Sequence, residues 1–236
     1  SLILLKDTSV TINFMSESII VYKANDHLEA SSCLSNLIIN EINKSKKNSF
    51  TIGLSGGSTP KITYSLLKND IRDLSKIIFW TVDERWVPRD DEYSNQKMLN
   101  SFFADSAAKI LDVEYSGLSA EKDANEYASK LENNITNFDT VILGVGEDGH
   151  IASLFPNTVA VNDIENYYVS NEVNILSKWR VTATFKLLKE VDNVYLLVTG
   201  TNKKEILKSI MNNGNTSANK LINGRKKTIL ITDQEI

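Results

Sequence analysis

The sequence predicts an α/β protein with a mostly parallel central sheet and helices on both faces of that sheet. Short apolar runs of strand length alternate with longer segments in which apolar residues recur at helical spacing. Glycine-rich or charged turns follow several of the apolar runs. This alternation is typical of consecutive β–α units, which build parallel sheets. No repeat, low-complexity tract or proline-rich linker divides the chain, so we expect one domain over residues 1–236.

Apolar spacing and turn residues predict the individual elements, which we give in chain order. They are a β-rich stretch from Val10 to Val21 with one or two strands, a helix over Asp26 to Lys44, a buried strand over Phe50 to Leu54, a strand over Lys76 to Val82, a charged loop over Asp83 to Tyr93, a helix from about Asn95, a helix over Ala120 to Asn134, strands over Thr140 to Leu143, Val181 to Phe185 and Val194 to Thr199, a helix over Asn202 to Met211 and a final strand over Lys227 to Thr232. Pro60 fits the first turn of a further helix, with Ser58 or Thr59 as its cap.

Composition and charge narrow the classes of function. A net charge of −4 disfavours nucleic acid as the main partner, because phosphate backbones require a broad basic surface. The single Cys33 excludes an internal disulfide and a cysteine-rich metal site. No apolar run approaches the roughly 18 residues of a membrane span, and the first residues lack a signal-peptide pattern. We therefore expect a cytoplasmic protein with a small-molecule partner, no nucleic-acid or membrane partner, and a monomeric or small homo-oligomeric state.

The loop from Gly144 to Pro156 is the strongest candidate for an active site. It follows a predicted buried strand, contains three glycines before position 150, and carries Asp148 and His150. Ligands of open α/β sheets bind at the carboxyl ends of the strands, where this loop lies. Histidine exchanges protons near neutral pH, so His150 is suited to take a proton from water. The alternative is a histidine that only caps or packs a helix start. His27 lies near the start of a predicted helix without a comparable loop, and we interpret it as a surface residue.

A second loop, from Ser55 to Pro60, joins a predicted strand to a helix. Gly56 and Gly57 allow close approach of the backbone, while Ser58 and Thr59 add hydroxyl groups. Free N–H groups at such a helix start can hold a phosphate. The loop has neither the Walker nor the dinucleotide-binding spacing, and a simple glycine turn with a helix cap is the alternative.

A third loop begins with Asp83, Glu84 and Arg85. Asp83 is the first residue beyond an apolar run, which is a common place for a catalytic carboxylate in this architecture. Either Asp83 or Asp148 could orient His150, and the sequence leaves this choice open. The guanidinium of Arg85 suits an oxyanion or a phosphate, whereas the alternative is a solvated loop with a local ion pair.

Two more cations stand at the starts of predicted elements. Arg180 precedes a strand, and Lys203 follows Gly200 at the start of a helix. Each alone is typical of an exposed surface cation, but a phosphate site built from several β–α loops recruits such residues. The two histidines are far apart in sequence and the acids show no ligand spacing, so we expect neither a metal nor a cofactor.

Taken together, three segments resemble the 6-phosphogluconolactonases. The segments are Leu54-Ser-Gly-Gly-Ser-Thr-Pro60, Asp83-Glu-Arg-Trp-Val-Pro88 with Ser94-Asn95, and Gly144-x-Gly-x-Asp-Gly-His-x-Ala-Ser-Leu-Phe-Pro156, and their order and spacing agree over nearly the whole chain. The resemblance implies a single Rossmann-like α/β domain, related to the glucosamine-6-phosphate deaminases. It also implies metal-free hydrolysis of 6-phosphoglucono-1,5-lactone in the oxidative pentose phosphate pathway.

The resemblance implies roles for individual residues. His150 is the expected general base, with Asp148 or Asp83 beside it. The residues expected to bind the sugar phosphate are Gly56, Gly57, Ser58, Thr59, Arg85, Arg180 and Lys203, with Arg180 and Lys203 the expected phosphate contacts.

Two alternatives come from the same resemblance. The deaminases share the first loop and the Asp-Gly-His core, but carry a glutamate where this chain has Phe155, and a tyrosine where it has Arg85. Both differences favour the lactonase. A sugar-phosphate sensor of the same fold requires a DNA-binding helix-turn-helix, for which the sequence offers no spare N-terminal segment.

Overall fold

The computed structural model describes residues 11–15, 18–175 and 177–236. The strands within these residues are β1 (Thr11–Met15), β2 (Ile19–Lys23), β3 (Phe50–Leu54), β4 (Ile77–Thr81), β5 (Asp83–Arg85), β6 (Lys109–Leu111), β7 (Thr140–Gly144), β8 (Tyr168–Ile175), β9 (Ser177–Ala183), β10 (Asn193–Val198) and β11 (Thr228–Thr232). The helices are α1 (His27–Lys44), α2 (Lys61–Asp70), α3 (Asn95–Phe103), α4 (Ala120–Asn134), α5 (Phe185–Glu190), α6 (Lys204–Met211) and α7 (Ser217–Asn223).

The central sheet has eight strands in the order β1-β2-β11-β10-β7-β3-β4-β6. Only the pairing of β1 with β2 is antiparallel, and every other neighbouring pair runs parallel. The predicted α/β class with a mostly parallel sheet is therefore confirmed.

Helices cover both faces of the sheet, because alternate residues of each strand point to opposite sides. On β7, Leu143 belongs to the core beneath α4, α5, α6 and α7, whereas Ile142 belongs to the core beneath α1, α2 and α3. Leu196 and Tyr195 on β10 divide in the same way. Fully burying such side chains stabilises the fold by ~1.5–3 kcal/mol each.

A second, smaller sheet has three antiparallel strands in the order β5-β9-β8. It corrects the predicted loop over Asp83 to Tyr93, whose first three residues form β5. Strand β5 pairs with β9, so that Asp83 lies opposite Thr182 and Arg85 lies opposite Arg180. The small sheet joins the central sheet where the Ala183 N–H donates to the Val82 carbonyl at 2.8 Å.

Two further predictions need correction. Helix α2 begins at Lys61 with Pro60 at its N-cap position, and no side chain caps it, so neither Ser58 nor Thr59 has the predicted role. The predicted strand over Val181 to Phe185 is the end of β9, while Phe185 already begins α5. Residues 10, 16 and 17 of the predicted β-rich stretch lie outside the described residues, residues 11–15 form β1, and residues 19–21 belong to β2.

The chain order creates a crevice between β3 and β7, which are neighbours in the sheet. From β3 the chain continues outward to β4 and β6, whereas from β7 it continues in the opposite direction to β10 and β11. The loops that follow β3 and β7 therefore diverge at the carboxyl edge of the sheet. Such a switch point is where open α/β sheets bind their ligands.

Candidate active site

A cavity of about 520 Å³ opens at this switch point. Its walls come from the turns after β3, β4, β7 and β10, and from the β8–β9 hairpin. The lining residues that the sequence had singled out are Gly56, Gly57, Thr59, Asp83, Arg85, Asp148, His150, Arg180 and Lys203. Ser58 is exposed and lies outside the wall.

The glycine-rich turn after β3 is anchored from below. The Ser55 hydroxyl donates to the Ile142 carbonyl of β7 at 2.8 Å, and the buried Tyr64 hydroxyl donates to the Ser55 carbonyl at 2.7 Å. At Gly56 the backbone lies so close to the Asn95 side chain that any Cβ would overlap it. The turn is thus held rigidly at the cavity wall, with a glycine required by close packing.

Glu84 fixes the segment that carries Arg85. Glu84 is 3% exposed, and its carboxylate accepts hydrogen bonds from the backbone N–H groups of Asn95 and Gln96, each at 2.7 Å. These are free donors at the first turn of α3, so the carboxylate caps this helix. Burial raises the pKa of Glu84 to about 7, although the hydrogen bonds oppose that rise.

Arg85 and Arg180 lie side by side on the small sheet, and both face the cavity. Arg85 donates to the Tyr93 carbonyl at 2.7 Å, and Arg180 donates to the Ile175 carbonyl at 2.9 Å. Arg180 is buried, and its Nε has no hydrogen-bond partner among the described residues. Burial, followed by the nearby Arg85 cation, lowers the pKa of Arg180 to about 10, so it remains protonated at neutral pH. Two adjacent cations with spare donors are suited to an anion.

Lys203 brings a third cation from the opposite side. It ends a 3₁₀ turn after β10, and its Nζ donates to the Val145 carbonyl at 2.8 Å. The neighbouring Asn202 donates to the Glu147 carboxylate at 2.6 Å. These two contacts tie the turn after β10 to the loop that carries the histidine.

His150 and Asp148 form a close pair in the loop after β7. The imidazole Nδ1 lies 2.5 Å from Asp148 Oδ1, and the same oxygen accepts the His150 backbone N–H at 3.1 Å. Burial would raise the pKa of Asp148, but the hydrogen bonds from His150 outweigh it and hold that pKa below its usual value. An ionised carboxylate accepts a proton-bearing nitrogen, which directs the Nδ1–H to Asp148 and leaves Nε2 as the acceptor.

Asp83 has a different partner. Its Oδ2 accepts the Ser153 hydroxyl at 2.7 Å, and Asn95 donates to the Asp83 carbonyl at 2.9 Å. Of the two carboxylates that the sequence left open beside His150, the structure places Asp148 there. Asp83 and Ser153 instead form a buried polar floor to the cavity.

Several cavity residues had no role in the site predicted from the sequence. Asn95, Ser153 and Ile175 line the wall, and the Phe155 ring stacks on His150. Ser153 and Phe155 share a short motif with the histidine, which is the only sequence signal that could have included them. His27, interpreted as a surface residue, hydrogen-bonds Thr199 and does not line the cavity.

The described residues contain neither a metal-binding cluster nor a membrane-spanning helix. No three histidine, cysteine, aspartate or glutamate side chains gather there as a metal site would require. Nor does that part of the chain contain a helix both long and apolar enough to cross a membrane.

A histidine–carboxylate pair and a group of cations in one cavity define a site for acid–base chemistry on an anionic substrate. Over residues 25–230 the chain matches the family described as glucosamine-6-phosphate isomerases/6-phosphogluconolactonase. The chain belongs to this family, and the resemblance predicted from its motifs is confirmed.

Individual relatives agree with the family assignment. A 6-phosphogluconolactonase from Chlamydia pneumoniae is 36% identical over 172 residues, which cover 70% of this chain and 66% of that protein. A protein from Dictyostelium discoideum, named "Probable 6-phosphogluconolactonase", is 31% identical over 84% of this chain and 86% of its own length. The crystal structure of 6-phosphogluconolactonase from Thermotoga maritima has a TM-score of 0.82 at 26% identity, covering 91% of this chain and 99% of that one.

Proposed function

We propose that this chain hydrolyses 6-phospho-D-glucono-1,5-lactone to 6-phospho-D-gluconate in the oxidative pentose phosphate pathway. The observation that carries the proposal is a single cavity in which the His150–Asp148 pair faces Arg85, Arg180 and Lys203. The described hydrogen bonds of these three cations go to backbone carbonyls, so their charge is available to a substrate. Relatives that carry the name of this activity support the same substrate.

His150 is the general base of the proposed reaction. Its Nε2 takes a proton from a water molecule, whose oxygen attacks the lactone carbonyl carbon. Asp148 holds Nδ1–H and stabilises the imidazolium that forms. Backbone N–H groups of the glycine-rich loop after β7, which also carries His150, stabilise the oxyanion of the tetrahedral intermediate. The imidazolium then returns the proton to the departing ring oxygen, the carbon–oxygen bond of the ring breaks, and the open-chain acid results.

The phosphate group of the substrate binds away from the chemistry. Arg180 and Lys203 are its main contacts, with Arg85 and the turn at Gly56, Gly57 and Thr59 beside them. Burial and then repulsion from Arg85 lower the pKa of Arg180, and a phosphate between the two arginines offsets that repulsion. Binding of this remote group orients the lactone at His150, which raises the rate without a further chemical role.

Four expectations from the sequence remain predictions and form part of this proposal. They are the single domain over residues 1–236, the cytoplasmic location, the monomeric or small homo-oligomeric state and the contribution of Ser58 to phosphate binding. Asp83 acts in the proposal as an acceptor for substrate hydroxyls, because Ser153 occupies only one of its oxygens.

The test is hydrolysis of freshly generated 6-phosphogluconolactone, with the spontaneous rate subtracted. We expect His150→Ala to lower kcat by about 10²–10⁴, the usual contribution of a general base. The variant should still bind 6-phosphogluconate, because the cations are unchanged. His27→Ala is the matched control, since His27 is the only other histidine and lies outside the cavity wall.

The outcomes separate the alternatives. An unchanged rate in His150→Ala contradicts the role of the base. No acceleration by the native chain contradicts the lactonase. Ammonia released from glucosamine 6-phosphate would then indicate the deaminase reaction, although Phe155 occupies the position of the deaminase glutamate.

A further inference from the structure

The imidazole of His150 is held on more than one side. The Phe155 ring stacks on it, with ring centroids 4.0 Å apart and an angle of 25° between the planes. Asp148 holds the Nδ1 edge, and the Gly146 backbone lies so close to Nδ1 and Cε1 that a Cβ there would overlap both. Rotation of the ring about its χ2 axis would break the stacking and the Asp148 contact together. The ring therefore has one supported orientation.

The position of Phe155 is itself fixed by the surrounding backbone. Its carbonyl accepts the Thr158 hydroxyl at 2.7 Å, and Asn171 donates to that same hydroxyl at 2.9 Å. The carbonyl of the preceding Leu154 accepts the Ser217 hydroxyl of α7, also at 2.7 Å. Leu154 is fully buried. Because both peptide groups around Phe155 are tied to different elements, the ring is a supported surface for His150 to pack on.

We propose that Phe155 is a positioning residue, which holds the imidazole of His150 so that Nε2 points to the attacking water. This inference rests on the proposed lactonase function. Phe155 has no proton to exchange, and it acts only through the ring it supports. Without it, Asp148 and the Gly146 backbone hold only the Nδ1–Cε1 side of the imidazole, and its open face leaves the ring free to tilt. A base that spends less time in the reactive orientation lowers kcat.

The first test is a comparison of kcat and KM in three variants. Phe155→Leu keeps an apolar side chain but removes the flat aromatic face, and we expect kcat to fall about tenfold while KM changes less than about twofold. Phe155→Tyr restores the aromatic face, and its kcat should stay within about threefold of the native value. Tyr115→Leu is the matched control. The Tyr115 ring packs on the Trp86 ring, with ring centroids 4.9 Å apart, but Tyr115 does not line the cavity.

The second test is NMR of the imidazole protons, which needs no turnover. The chain has two histidines, so a His27→Gln variant assigns the His150 signals. In the native chain the Phe155 ring current should move these signals upfield; Phe155→Leu should abolish that shift, and Phe155→Tyr should retain it.

The results distinguish this inference from the proposed function. A native chain that does not hydrolyse the lactone contradicts the proposed function, and the NMR comparison alone then decides whether Phe155 holds the ring. An active native chain with an equal kcat in Phe155→Leu overturns the inference. A rise in KM with unchanged kcat also overturns it, because Phe155 would then contact substrate without positioning the base.

Discussion

Buried charged groups lie at both edges of the central sheet, the amino edge where its parallel strands begin and the carboxyl edge where they end, but the partners of these groups differ. At the amino edge, Asp139 accepts the Thr51 backbone N–H at 2.8 Å and forms a close ion pair with Lys47. At the carboxyl edge, Arg180 has a single described hydrogen bond, to the Ile175 carbonyl, and its Nε lacks a partner. Asp139 at the amino edge thus contributes to stability, whereas Arg180 at the carboxyl edge keeps a charge and a donor available for a ligand.

Two arginines, one near each edge of the sheet, differ in the same way although their side chains are identical. Arg225, near the amino edge, donates to the carbonyls of Leu188, Lys189 and Asp192 at 2.8–3.0 Å. Its guanidinium connects the turn before β11 to the end of α5. Arg180 faces the cavity beside another cation instead of filling its hydrogen bonds. Loss of Arg225 should therefore affect folding, and loss of Arg180 should affect binding.

Arg180→Gln should produce the larger effect in the assay. The variant removes a buried cation from the proposed phosphate site, where hydrogen bonds to charged groups contribute ~1.5–3 kcal/mol. We expect kcat/KM for the phosphorylated lactone to fall about 100-fold, mainly through KM. The measurement is steady-state hydrolysis of 6-phosphogluconolactone beside unphosphorylated glucono-1,5-lactone. The native chain should discriminate strongly between the two, and the variant should lose most of this discrimination.

Thermal unfolding supplies the control for Arg180→Gln. The variant should keep the native Tm or exceed it, because the substitution also removes repulsion from Arg85. An unchanged KM would contradict the placement of phosphate at Arg180. An equal loss of kcat/KM on both lactones would instead indicate a general distortion of the cavity.

Arg225→Gln should show the opposite pattern. The shorter amide cannot reach all three carbonyls, which leaves acceptors of the turn without their partner. We expect the free energy of unfolding in urea to fall by about 2 kcal/mol, within the range for loss of such hydrogen bonds. Lactone hydrolysis at 25 °C should be unchanged. Unchanged stability together with weaker substrate binding would contradict the assignment of Arg225 to folding and not to binding.

Local sequence patterns predicted the elements that depend on local interactions. Helix α4 has the predicted bounds, because Ser119 caps its first turn and its buried residues recur at helical spacing. Strand β5 was missed because Asp83, Glu84 and Arg85 have no strand pattern of their own. Its conformation depends on pairing with β9, almost one hundred residues later. No local signal could have predicted that pairing.

The candidate site divides in the same way. His150 and the glycine-rich turn could be predicted because a turn after a buried strand places them at the ligand-binding edge. The stacking of Phe155 on His150 could not, since it depends on a chain reversal through Ala152, which has a φ of 50°. Residues with φ in this range are uncommon outside glycine, and the sequence carries no clear sign of one here. The division of work between Asp83 and Asp148 likewise required the position of Ser153.

The pH dependence of unfolding shows whether the buried Glu84, which positions the site at the carboxyl edge, lowers the stability of the fold. Burial raises the pKa of this carboxyl to about 7, well above its ordinary value of 4.5. Between these pH values the native state holds a proton that the unfolded state has released. Stability therefore falls as pH rises through this window, by up to ~1.4 kcal/mol per pH unit from this group.

Glu84→Gln should remove that pH dependence. The amide remains neutral at every pH, but its NH₂ group is only a donor, whereas Oε2 of Glu84 accepts from the Ser94 hydroxyl and from the Gln96 N–H. We expect the variant to be less stable than the native chain at pH 5, and the difference to shrink steadily towards pH 7. Urea unfolding at half-unit pH steps measures it, and subtraction of the two curves cancels the other titrating groups. A difference that stays constant from pH 5 to 7 would mean that Glu84 ionises in the folded chain as it does in the unfolded one. The cap on α3 would then carry no pH-dependent cost in the free energy of unfolding.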